Sequence, residues 1–152
     1  MKCTAITVKG KMISFKLQIA TVWRCLFPFP LFNSKRYSGA FSLEHEDLQE
    51  IDAKYGPFDL TLMECGQYDP RWSAIHMLPE ETVQAHIDVQ GELLLPIHWG
   101  AFTLALHEWS DPIERVTKEA NRLGVKITTP QIGESITLKS TDYPRYAWWQ
   151  KV

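Results

Sequence analysis

Neither sign of charge dominates this sequence: 16 basic residues face 18 acidic ones, for a net charge of −2. A surface built for a polyanion carries a clear excess of lysine and arginine, so nucleic acid is not an expected partner. Cysteine is scarce. Cys3, Cys25 and Cys65 are odd in number and far apart, which excludes a disulfide framework and a CxxC metal site. A reducing, cytoplasmic compartment is then the default. Long apolar runs are lacking as well. The most apolar stretch, residues 19–32, is broken by Arg24, Pro28 and Pro30. It is too short to span a bilayer and too far from Met1 to be a signal peptide, which leaves only peripheral contact with a membrane surface. Repeats and low-complexity tracts are absent. So are HxH, HExxH and clustered Cys/His motifs, and spacing alone therefore gives no metal site.

What is present suits one soluble domain of 152 residues, with 45% apolar and 22% charged residues. Thr4–Val8 and Lys11–Ile19 read as two strands joined at Lys9-Gly10. In the second, Ile13, Phe15, Leu17 and Ile19 alternate with polar residues. The pattern is lost across residues 20–37, where Pro28 and Pro30 forbid a regular helix. A helix is expected after Ser42, with Leu48, Ile51 and Tyr55 on one face and Gly56-Pro57 as its stop. Residues 58–63 and 93–97 read as buried strands. Pro79 opens a helix with Glu80 and Glu81 in its first turn, Val83 and Ile87 facing inward and His86 flanking them. Asp111-Pro112 opens another, with Ile113, Val116, Ala120 and Leu123 on one face and Gly124 at its end. Residues 125–129 and 135–138 read as closing strands. Helices alternating with strands make the class α/β. The tail Tyr143–Trp149 holds four aromatics and reads as a packing or association element.

Two strands are followed by histidine-bearing segments. His98 ends the run Leu93–Ile97, with Gly100 close behind to let the backbone turn. His76 lies in the long loop of residues 64–78. The carboxyl ends of strands in open α/β sheets are where ligands bind, so both histidines are expected on one rim, lined by Tyr68, Trp72, Trp99 and Phe102. Two imidazoles there suit metal binding or proton transfer. A hydrogen-bonded histidine that merely ends a strand is the plainer alternative. His45, His86 and His107 read as structural or solvent-facing. Asp59 reads as a turn residue, and Glu64 as an acid or base at the strand end or, more commonly for such a position, an exposed glutamate. Arg71 beside Trp72 suits a substrate phosphate or a surface stack on the indole.

Tyr55-Gly56-Pro57-Phe58-Asp59-Leu60, Gly66-Gln67-Tyr68-Asp69-Pro70-Arg71-Trp72, His76-Met77-Leu78-Pro79-Glu80-Glu81 and Pro96-Ile97-His98-Trp99-Gly100-Ala101-Phe102 occur in that order. Together they resemble the metallo-β-lactamase superfamily, in the branch of N-acyl-phosphatidylethanolamine phospholipase D and related bacterial hydrolases. The resemblance implies the C-terminal half of a four-layer αββα sandwich, with a mixed sheet and helices on one face. It implies two metal ions, usually zinc, and hydrolysis of a phosphodiester or ester in a small-molecule or lipid substrate. His98 maps onto the last histidine metal ligand and His76 onto a catalytic loop histidine. Tyr68 and Trp72 map onto the substrate wall. On this reading residues 1–36 stand outside the family pattern, 37–140 form a partial domain and 141–152 an aromatic tail.

The family's HxHxDH motif is absent, and Ser34 stands where the bridging aspartate belongs. One histidine cannot hold catalytic zinc, which needs three protein ligands. The chain is therefore expected to be truncated and inactive alone. Either it is the second half of a broken gene, or it is a short variant with a new N-terminal hairpin. Leu60, Leu62, Leu93, Leu95 and Ile97 would face a missing sheet, an open face that calls for a homodimer or the missing N-terminal half as partner. Three functions follow: a hydrolase remnant, a non-catalytic interaction module, and a half-enzyme completed by another polypeptide.

Overall fold

The computed structural model describes residues 5–8, 11–14, 36–39 and 45–152, and up to residue 45 the backbone alone. In chain order the elements are β1 (Ala5–Val8), β2 (Lys11–Ser14), β3 (Arg36–Gly39), α1 (His45–Tyr55), β4 (Leu60–Glu64), α2 (Pro79–Asp88), β5 (Leu94–Ile97) and α3 (Asp111–Leu123). β1 and β2 pair antiparallel, Val8 opposite Lys11, in a two-stranded sheet of their own. The rest of the second expected strand, residues 15–19, lies outside the described residues, as does Ser34.

β3, β4 and β5 form one sheet in that order. Ser38 stands opposite Leu62, and Leu62 opposite Leu95, with both pairings parallel. Parallel neighbours need a crossover, and α1 and α2 supply the two crossovers. The expected α/β layering is present. The mixed pairing is not seen among the described strands of this sheet.

β4 and β5 are buried on both faces, as their apolar runs dictate. On one face Leu48 of α1, Val83 of α2, and Val116 and Ala120 of α3 pack with Phe58, Met63 and Leu94. On the other, Leu60, Leu62, Leu93 and Leu95 pack with Ile136, and Ile97, Leu138 and Tyr143 border them. This second face was expected to stand open. Instead Leu60, Leu62, Leu93 and Leu95 are 2, 8, 1 and 6% exposed, because the chain beyond Pro130 folds back across them. Each such burial is worth roughly 1.5–3 kcal/mol.

The closing strands expected at 125–129 and 135–138 do not form. Ile127 makes one isolated parallel bridge to Leu94. There Leu94 N–H donates to the Lys126 carbonyl at 2.9 Å, and Thr128 N–H donates to the Leu94 carbonyl at 2.9 Å. Pro130 lacks the N–H needed to carry the ladder on, and Thr129 N–H is drawn off to the Pro144 carbonyl at 2.7 Å. Of residues 135–138, Ile136 and Leu138 pack by side chain, and the segment has no partner strand among the described residues.

In α2, Glu81 accepts the Leu78 N–H at 2.7 Å, holding the helix start. Its buried stripe runs through Thr82, Val83, Ala85 and His86. Ile87, expected inside, is 38% exposed, and the flanking His86 is the buried one. α3 buries Ile113, Val116 and Ala120 fully, while Leu123 at its end is exposed. Gly124 caps the helix at φ 70°, a conformation that suits glycine. The tail packs on its own chain: Trp149 is buried and donates Nε1–H to Glu114 at 2.7 Å. Trp99, Trp148 and Trp149 form one cluster with ring centroids 5.5–6.0 Å apart. No described helix is long and apolar enough to cross a membrane.

Candidate functional site

The ends of β4 and β5 lie side by side, Glu64 opposite Ile97, with Cys65 N–H donating to the Ile97 carbonyl at 3.1 Å. Gly66 and His98 follow directly. A Cβ on Gly66 would fall 2.1 Å from the His98 carbonyl oxygen, so only glycine allows the two strand ends this close. His98 itself adopts φ 66°.

The loop of residues 65–78 then returns His76 to the same rim. Glu64, 0% exposed, is the reason. One carboxylate oxygen accepts the Met77 N–H at 2.8 Å. The other shares a hydrogen bond with His76 Nδ1 at 2.9 Å. The Thr82 hydroxyl donates to the Glu64 carbonyl at 2.7 Å, tying in α2. His76 and His98 stack with ring centroids 5.2 Å apart and planes 19° from parallel. Donor atoms of Glu64, His76 and His98 all lie within 4.8 Å of one another. A cleft of about 230 Å³ beside His76 is lined also by Asp69, Pro70, Ser73, Leu78 and Glu81.

Burial sets the protonation here. It pushes the Glu64 carboxyl up to about 8, against the pull of the Met77 N–H. It lowers His76, and with His76 as a second cause it lowers His98. Near neutral pH, Glu64 and His76 therefore hold one proton between them and no net charge. Such a group can bind a cation by releasing that proton, or pass the proton to a substrate.

The two histidines expected on one rim are thus together. Tyr68 and Trp72 are engaged elsewhere, and neither lines the cleft beside His76. Tyr68 is buried, stacks on His107 at 4.2 Å, bonds Asp111 through its hydroxyl and lies under the Arg115 guanidinium. Trp72 donates Nε1–H to the Gln67 carbonyl at 2.7 Å. Arg71 stacks on Trp72 and is gripped by both Asp69 oxygens at 2.7 and 2.9 Å. The stack on the indole expected as one of two readings is present. Asp59 pairs with Lys139 at 3.2 Å.

Sequence reasoning favoured an exposed Glu64 over an acid or base, and the side chain is buried. The signal against that was its position: it sits between Met63 and Cys65 at the end of a strand buried throughout. Gln67 was missed altogether. At φ 65° it donates to the Phe102 carbonyl at 2.9 Å. Its side-chain oxygen accepts the N–H groups of Leu104 and Ala105 at 3.1 and 3.0 Å. Its own N–H donates to His107 Nε2 at 3.1 Å. It pins the loop after His98 to the loop after Glu64.

Residues 36–99 match the model of the Beta-lactamase superfamily domain. An uncharacterized protein of Mycobacterium tuberculosis is 34% identical over 144 residues, 93% of this chain and 37% of that protein. Outer membrane protein RomA of Klebsiella pneumoniae is 40% identical over 80 residues, 53% of this chain and 60% of that protein. N-acyl-phosphatidylethanolamine-hydrolyzing phospholipase D 1 of Caenorhabditis elegans is 35% identical over 65 residues, 41% of this chain and 18% of that protein. The chain spans 37% of the length of the mycobacterial relative, which it matches over nearly all its own extent.

Proposed function

We propose, from the premise that this chain belongs to the metallo-β-lactamase superfamily, that its rim is one part of a zinc-dependent hydrolase centre acting on phosphodiester or ester bonds. The observation behind this is the meeting of His76 and His98, 5.2 Å apart, beside a buried carboxylate at the carboxyl ends of adjacent parallel strands. Two imidazoles and a carboxylate fit a zinc ion as donors. When bound, zinc supplies Lewis acidity and lowers the pKa of water. His98, the exposed member of the group, is free to turn a ring nitrogen toward it. The name of the nematode relative specifies a phospholipid phosphodiester as that enzyme's substrate. We carry over the bond class and not the particular lipid.

A two-ion centre needs more ligands than this rim holds, so the chain alone is expected to give no turnover. The relatives continue well beyond the aligned part, and a segment of that kind would bring the remaining ligands. The loop after His98 leaves Phe102, Leu104 and Leu106 58, 72 and 82% exposed, an apolar edge for that segment to cover. The interaction-module reading drew on an open sheet face, and the burial of Leu60, Leu62, Leu93 and Leu95 removes that motive. The test mixes this chain with the uncovered part of the mycobacterial relative and assays cleavage of bis(p-nitrophenyl) phosphate with zinc. Turnover in the mixture alone, lost in His98→Ala, is expected. No turnover in the mixture, or turnover indifferent to His98, would overturn the reading.

A further inference from the structure

We propose that Glu64, His76 and His98 by themselves form a site for one divalent transition-metal ion, zinc by its chemistry, with Glu64 as a third protein ligand. The proposal rests on reading the rim as a metal centre, but not on hydrolysis. It assigns His76 to the ion and away from the substrate. The family motif assigned only His98 to the metal, and the rim reading set His76 beside it as a candidate second imidazole. Folding adds Glu64.

The donor set comes first. Two imidazoles and one carboxylate, with a fourth position open, is a ligand set that zinc uses in catalytic sites, and imidazole donors suit zinc, cobalt and copper over magnesium or calcium. Next is the distance. Bonds of about 2.0–2.1 Å to a tetrahedral ion set donors about 3.3 Å apart. Glu64 Oε2 and His76 Nδ1, at 2.9 Å, are already near that spacing. The remaining atoms within the 4.8 Å group need a closure of an ångström or so. That movement falls on His98, which is exposed and turns about its own side-chain torsions without disturbing packed atoms.

Third is the carboxylate itself. Glu64 is fully buried, and among the described residues its only salt-bridge partner is His76. A buried carboxylate without a cation is costly unless it keeps a proton. A divalent ion satisfies it better than that proton does. Binding is balanced: the ion takes the place of the proton between Oε2 and Nδ1, and the proton leaves to solvent. The other oxygen stays on the Met77 N–H at 2.8 Å, a fixed outer contact of the kind that orients metal ligands. His76 also borders a cleft with Asp69, Ser73 and Glu81, and water would complete the coordination of a bound ion.

The test uses the full 152-residue chain, freed of metal with a chelator and titrated with Zn²⁺ by calorimetry, then with Co²⁺ by visible absorption. One equivalent is expected. The cobalt form should show the intense absorption of a four- or five-coordinate ion, not the weak bands of an octahedral one. Glu64→Gln and His98→Ala should each weaken binding at least about 100-fold, with circular dichroism unchanged. Should Glu64→Gln fail to fold, His98→Ala, which alters an exposed side chain, still decides: zinc must raise the melting temperature of the unaltered chain and not of this variant. Absence of stoichiometric binding, or binding unchanged in Glu64→Gln or His98→Ala, overturns the proposal. Zinc bound here without turnover in the mixed assay leaves the site standing and removes the hydrolase reading. Turnover there without binding here does the reverse.

Discussion

Strand β4 meets a histidine near each end, and the two meetings differ in how the ring is satisfied. Near the start, His86 is 2% exposed and its Nδ1 lies 2.6 Å from the Thr61 hydroxyl. Burial pushes its pKa down to about 4, so the ring is neutral. Gly91 closes over it, where a Cβ would come within 2.5 Å of the ring. At the carboxyl end, His76 pairs with a buried acid and borders a cleft, and His98 stacks on its ring. A neutral hydroxyl partner and a buried ring make His86 structural, although it borders a cleft of about 300 Å³ with Gln90, Glu92 and Lys126. A buried carboxylate with partly exposed rings leaves exchangeable protons and free lone pairs, which is what chemistry needs.

The two glycines sharpen this contrast most. At Gly66 the added methyl would strike the backbone carbonyl of His98, 2.1 Å away, and backbone held between two strands cannot yield. At Gly91 it would strike the His86 ring and the Thr61 methyl at 2.5–2.6 Å, which are side chains. Gly66→Ala is therefore expected to cost about 3 kcal/mol or more and to abolish zinc binding, and Gly91→Ala to cost about 1–3 kcal/mol with zinc binding kept. Denaturant unfolding and calorimetry on both variants check this. Equal effects on zinc binding would erase the distinction between the two ends.

Acid separates them next. The folded pKa of His86 lies below the ordinary 6.5, so the unfolded chain takes up the proton first. Its contribution to stability is full above about pH 6.5 and is lost as pH falls toward 4, by up to about 3 kcal/mol. Melting temperatures across that window should fall steeply in the unaltered chain and less in His86→Gln. Parallel curves would mean that His86 is not the buried neutral group described.

Much of this was legible in the sequence, where local chemistry decides. Asp111-Pro112 and Gly124 bounded α3 because helix caps are local signals, and the apolar runs ending at Glu64 and Ile97 placed β4, β5 and the rim. What was not legible depends on distant contacts. His86 and Ile87 exchanged places because Thr61, far away in sequence, offers a hydroxyl to the ring. Residues 125–129 failed as a strand because Pro144 captures Thr129. The second sheet face is covered by Ile136, Leu138 and Tyr143 where a partner sheet was expected. Glu64 is buried because His76 and Met77 return to it across a loop whose path no periodicity describes.

A smaller effect belongs to Thr61→Val. It keeps the shape of the side chain and removes the hydroxyl, leaving His86 Nδ1 buried and unpaired at a cost of about 1–3 kcal/mol. Zinc binding at the other end of β4 should not change. A loss of zinc affinity in this variant would show that the two ends are coupled through the strand.

The effect that is small only near pH 5, and whose sign is most telling, is that of Glu64→Gln without metal. The amide oxygen can still accept the Met77 N–H, and the acid it replaces is already protonated below about pH 8. Near pH 5 the change in stability should therefore be about 1 kcal/mol or less. The folded pKa is raised above the ordinary 4.5, so from pH 4.5 upward the unfolded chain releases a proton that the folded chain keeps. Stability from this group is full below 4.5 and is lost as pH rises through 8, the reverse of His86. Glutamine does not titrate, so the variant should gain on the unaltered chain steadily between pH 5 and 8, and pass it if the difference at pH 5 is small. Added zinc should turn the order round, because the ion stabilises only the carboxylate form. Melting curves of both proteins at pH 5, 6, 7 and 8, with and without zinc, measure all of this. Two parallel pH profiles would show that Glu64 ionises as an ordinary surface carboxylate does, and the rim would then lose the feature that sets it apart from the His86 end.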